Sequence, residues 1–119
     1  MIFRFFLFYS LFQFSVSISF SQKSTEDSLL TSLNQSKEDT GRIGILLRLF
    51  EVCEEKDMLK YSEEALRLSE KLNDKRGIAS SLNNMGYVYA NLGKMEMALD
   101  YYLKSMKILW KFQIRSCQT

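Results

Sequence analysis

The side chains able to do acid–base or nucleophilic work here are few: the adjacent acidic pairs Glu54-Glu55 and Glu63-Glu64, and the cysteines Cys53 and Cys117. Consecutive residues on a helix point about 100° apart, so neither acidic pair can present two carboxylates to one reacting atom. The sequence contains no histidine, which removes the usual general base, the phospho-accepting imidazole and the imidazole metal ligand together. Its glycines, at 41, 44, 77, 86 and 93, are scattered rather than gathered into a phosphate-cradling loop. These features predict no enzyme, no cofactor and no metal site. The chemistry on offer is recognition. Asn83, Tyr87 and Asn91 recur at i, i+4 and i+8, a row of amide donors and acceptors around an aromatic ring, suited to the backbone of an extended peptide.

The element that must carry this row is a helix. Leu82, Met85, Gly86 and Tyr89 stand at i, i+3, i+4 and i+7, which places them on one face beside the Asn83 row. Glycine inside a helix costs about 1 kcal/mol relative to alanine, so Gly86 is expected where a second helix approaches closely. After a turn at Asn91-Leu92-Gly93-Lys94, Ala98 and Tyr102 share a face of the next helix, one small and one large. The two helices are expected to pair as an antiparallel hairpin.

This pattern of Leu82, Met85-Gly86, Tyr89, Ala98 and Tyr102 resembles the tetratricopeptide repeat. The resemblance implies an all-α fold of antiparallel helical hairpins stacked as a short solenoid of about five helices, acting as a protein- or peptide-binding scaffold. It also implies that Asn83, Tyr87 and Asn91 line the concave, partner-binding groove. An internal offset of 40 residues carries Ala65-Leu66-Arg67-Leu68 onto Ser105-Met106-Lys107-Ile108 and Tyr61 onto Tyr101, longer than the common period of roughly 34. A degenerate repeat is therefore expected over 39–78 and a clear one over 79–112, with a tail over 113–119. Leu46 and Met58 replace Gly86 and Ala98 in the first repeat, which predicts looser packing there, and its row Ile43, Leu47 and Glu51 is expected to lie under the preceding helix.

That preceding helix, in a capping segment over 22–38, is read as starting at Ser24, with Ser24 and Asp27 as reciprocal caps and Leu29, Leu30 and Leu33 as its apolar edge. Asp39 or Thr40 is expected to cap the next helix, whose many apolar residues require neighbours on two sides. A third helix is read from Asp57, with Lys60–Glu64 and Glu63–Arg67 as exposed pairs.

The first residues are different material. Arg4, the apolar run from Phe5 to Phe12, and Ser19 and Ser21 have the order of a secretory signal peptide over 1–21, cleaved before Gln22. An uncleaved membrane anchor is the alternative. Arg4 is the only charge in this leader, so its loss lowers the net charge from +2 to +1. Acids and bases are interleaved, as in Lys71-Leu72-Asn73-Asp74-Lys75-Arg76, and no nucleic-acid partner is expected. Cys53, inside a helical pattern, and Cys117, near the end, do not read as a structural disulfide. The capped stretch Asp27-Ser28-Leu29-Leu30, the turn Lys37-Glu38-Asp39-Thr40 and the long-period repeats together resemble the exported N-terminal sensory region of Bacteroidetes-type signalling proteins. That resemblance implies a periplasmic location and a following membrane helix with a kinase, cyclase or DNA-binding output. The alternative is a truncated fragment of such a protein.

The last helix carries two apolar sets. Met95, Ala98, Tyr102 and Ser105 are expected to face its partner, while Leu99, Leu103, Met106 and Trp110 form an outward row. A repeat array normally ends on a polar face, so this row predicts a further repeat, a partner or a second copy of the chain forming a homodimer.

Overall fold

The computed structural model describes residues 21–118, which form five helices joined by short turns and contain no strand. α1 covers 21–35, α2 Thr40–Val52, α3 Glu55–Lys71, α4 Lys75–Asn91 and α5 Met95–Cys117. α2 and α3 make one hairpin, α4 and α5 a second, and α1 packs on the N-terminal end as part of the same short helical solenoid. The leader read over 1–21 lies, but for its last residue, outside the described residues.

The starts and stops follow local chemistry. Asp39 caps α2 by accepting from the Arg42 N–H at 3.1 Å, and Asp74 caps α4 by accepting from the Gly77 N–H at 3.2 Å. α3 and α4 end in the same way. Asn73 (φ 53°) and Gly93 (φ 73°) take left-handed backbone, which lets the Asp74 N–H reach the Ser69 carbonyl at 2.8 Å and the Lys94 N–H reach Tyr89 at 2.9 Å.

Four boundaries differ from the sequence reading. Helix is already present at Ser21, and the Thr25 hydroxyl donates back to the Ser21 carbonyl at 3.0 Å, so Ser24 lies inside α1 instead of capping it. α3 starts at Glu55, with Glu55 and Asp57 both in a first turn whose dipole favours acids. The Asp74 cap starts α4 at Lys75, so the boundary expected before residue 79 falls inside that helix. α5 continues to Cys117, which makes the expected tail its last turns.

α2 is sandwiched, as its composition requires. Leu29 and Leu33 of α1, Ile43, Leu46, Leu49 and Cys53 of α2, and Tyr61, Ala65 and Leu68 of α3 form one buried cluster. Each fully buried leucine contributes about 2 kcal/mol. Arg42 fastens the three helices together, its guanidinium donating to the Leu33 carbonyl at 2.7 Å, to Ser36 Oγ at 3.1 Å and to Glu64 at 3.0 Å. Glu64 is thus bound to α2 and not to Lys60, and Arg67 reaches Glu38 at 3.5 Å instead of Glu63. An exposed pair within one helix is worth only tenths of a kcal/mol, too little to hold these side chains back. The Lys71 ammonium bonded to Glu38 holds that carboxyl below its usual range.

The two joints of α4 differ in kind. Towards α3, Gly77 sits on Ser69: an alanine Cβ there would lie 2.3 Å from Ser69 Oγ and 3.0 Å from Ser69 Cβ. Towards α5, Gly86 receives the Tyr102 ring, whose Cδ1 and Cε1 lie 2.8 Å from where a Cβ would stand. Close approach at Gly86 is therefore made by an aromatic side chain. Leu82, Met85, Val88 and Ala98 are buried, and half-buried Tyr89 stacks on Tyr101 at 5.3 Å. Met95, expected to face α4, is exposed, because at the first residue of α5 there is no neighbour left to cover it.

Candidate functional site

Register decides which strip of α4 stays open. Gly77 is held against α3, while Gly86 and Ala79 are held against α5, the Ser105 hydroxyl donating to the Ala79 carbonyl at 2.7 Å. Ser80, Asn83, Tyr87 and Asn91 are left exposed along one side. Around the first two lies a trough of about 360 Å³. Its floor is Ala79, Ser80, Asn83 and Asn84, one wall is Leu47 and Glu51 of α2, and the other is Ser105 and Leu109 of α5.

The three residues read as a groove are thus exposed on one face but are not equivalent. Asn83 lines the trough. Tyr87 leans towards α2, its ring edge-on to Phe50 at 6.1 Å and 76°, and Asn91 stands at the far end of α4. Sequence reasoning placed Leu47 and Glu51 under α1, and this is corrected: Ile43 is buried, whereas Leu47 is half-buried and Glu51 exposed. The apolar edge of α1 is only Leu29, Leu30 and Leu33, too narrow to wrap round to that side of α2. The 40-residue offset already set Leu47 and Glu51 against Tyr87 and Asn91 and was the signal for them. Leu109 had no such signal, since it becomes a wall only through the crossing of α5 over the start of α4.

Chemically the trough offers amide and hydroxyl groups below and aliphatic walls beside, with Glu51 as the single charge among its lining residues. Cys53, at the C-cap of α2, does not line the trough and is buried in the cluster of α1, α2 and α3. Burial pushes its thiol up to about 11, so it stays protonated and unreactive, while Cys117 is exposed at the end of α5. Among the described residues no cluster of acidic and cysteine side chains could hold a metal ion.

A second surface lies beside the trough. Leu99, Leu103, Met106 and Trp110 are 55% to 69% exposed, and the last three, with Leu109, border a shallow hollow of about 570 Å³. Four residues read as an outward row therefore do form one.

In comparison with known proteins, the family model described as tetratricopeptide repeat matches residues 49–109. No curated protein and no solved structure matches the chain.

Proposed function

Since the chain belongs to the tetratricopeptide repeat family, whose stacked hairpins serve as protein-interaction scaffolds and are generally not catalytic, we propose that it binds an extended peptide segment in the trough along α4. The observation that supports this most directly is the side-by-side placing of Asn83 and Asn84 on the floor between the walls Leu47 and Leu109. Amides so placed can donate to and accept from a peptide backbone, while the walls take apolar side chains. Glu51 favours a segment bearing a basic residue. Tyr87 extends the contact towards α2. For a peptide selected by display on the full chain, Asn83→Ala combined with Tyr87→Ala is expected to weaken binding at least about tenfold, the loss of about 1.4 kcal/mol that one or two hydrogen bonds supply. Unchanged affinity with unchanged circular dichroism removes this face as the site.

The chain acts, in this reading, as the sensory or interaction part of an exported signalling protein, located in the periplasm. Supporting it are the cationic start, the short apolar run and the Ser19-x-Ser21 order, together with the long second helices of the hairpins. A fragment of a larger repeat-bearing sensor kinase, cyclase or transcriptional regulator is the second reading, favoured by the uncovered apolar row of α5. Export predicts a mature N-terminus at Gln22. Mass spectrometry of the envelope fraction should find it, and only chains beginning at Met1 would leave the uncleaved anchor. The outward row of α5 is a second contact surface, covered by another copy of the chain.

A further inference from the structure

Resting on that second surface, we infer that two copies pair through α5 in antiparallel orientation, with Asp100 of each facing Lys107 of the other. Leu99, Leu103, Met106 and Trp110 step along the helix by four, three and four residues, a spacing that reads the same from either end. Turning a second α5 about the midpoint between Lys104 and Ser105 sets Leu99 opposite Trp110 and Leu103 opposite Met106. The smaller Leu99 meets the large Trp110, and Leu103 meets Met106, which is close to it in size. The hollow beside Trp110, Met106 and Gln113 then lies opposite the stretch of the other copy that carries Leu99 and Leu103.

Charge selects this orientation over the parallel one. Acids stand at the start of α5, Glu96 and Asp100, and bases follow, Lys104, Lys107, Lys111 and Arg115. Asp100 and Lys107 are seven residues apart and so lie on the same edge of the apolar row. A parallel pair would turn the two edges that carry Asp100 and Lys107 to opposite flanks of the interface, where neither charge meets its counterpart. The antiparallel pair brings the two edges together, with Asp100 of each copy within two residues, about 3 Å along the axis, of the level of Lys107 of the other and Glu96 offset likewise from Lys111, and the two helix dipoles oppose one another as well. Within one copy Asp100 contacts Lys104 at 2.6 Å, an exposed pair that holds it only weakly. The apolar side chains supply the drive, since the four of the exposed row with Leu109 beside them exceed what a monomer usually leaves to water.

Cysteine cross-linking in intact cells reads the orientation on the full chain. With Cys117→Ser as background, Asp100→Cys and Lys107→Cys together are expected to give a disulfide-linked dimer on oxidation, and either alone to give none. The two positions are about 10 Å apart along one helix, beyond the reach of a disulfide within a copy, and Cys53 is buried and protonated. Adding Leu103→Glu should cut the dimer about tenfold or more. Independently of that variant, exchanging the charges by Asp100→Lys with Lys107→Asp should preserve association that Asp100→Lys alone weakens. Cross-linking by Asp100→Cys alone overturns the antiparallel arrangement and keeps the second contact surface. A monomer by sedimentation at tens of micromolar, with no cross-link in any variant, overturns both.

Discussion

Replacing Gly77 by alanine is expected to lower the stability of the fold by about 2 kcal/mol, although helix propensity alone favours the change by about 1 kcal/mol. The added Cβ would stand 2.3 Å from Ser69 Oγ and 2.9 Å from Asp74 Oδ2. Neither atom is free to retreat. Ser69 is fully buried with its hydroxyl bonded to the Ala65 carbonyl at 2.6 Å, and Asp74 caps α4 itself. Relief therefore requires α3 and α4 to separate, loosening the joint between the hairpins. Urea denaturation of Gly77→Ala measures the loss, and adding Ser69→Gly should recover a large part of it. Gly44, with nothing near its missing Cβ, provides the opposite sign: Gly44→Ala is expected to stabilise by up to about 1 kcal/mol. A neutral or stabilising Gly77→Ala would show that the joint is looser than its geometry implies.

Leu46→Ala is expected to cost more, about 3 to 4 kcal/mol, because the leucine is fully buried at the centre of the cluster formed by α1, α2 and α3. The position has a particular logic. Leu46 corresponds by the repeat offset to Gly86, and Ser62 to Tyr102. In the second hairpin the first helix supplies the small residue and the second helix the large one. In the first hairpin the roles are exchanged, with Leu46 and Ser62 both fully buried, so space that an aromatic ring takes from one side is taken by a leucine from the other. Ser62→Phe added to Leu46→Ala should accordingly restore about half of the lost stability, a coupling readable in a double-mutant cycle. A loss below about 1 kcal/mol for the single change would mean that the site collapses around the missing methyls, and the exchange would then carry little of the packing.

The amino-acid sequence by itself determined what depends on residues within a turn or two of one another. Asp39 as a cap, the turn at Asn91 to Lys94, the shared face of Leu82, Met85 and Gly86, and the outward row from Leu99 to Trp110 all follow from helical register, which is a local property. Tertiary structure decided which of those faces meet and which stay open. Glu64 could reach Lys60 by register and reaches Arg42 because α2 lies beside it. Leu47 and Glu51 share a helix with buried Ile43, yet they remain open because α1 covers one side of α2 and stops. The trough has its second wall only because α5 crosses the start of α4 and brings Leu109 there. Such covering depends on how neighbouring helices cross, set jointly by side-chain volumes at contacts such as Ser69 on Gly77 and Tyr102 on Gly86. Those volumes come from positions far apart in the chain, and no periodicity along a single helix contains them.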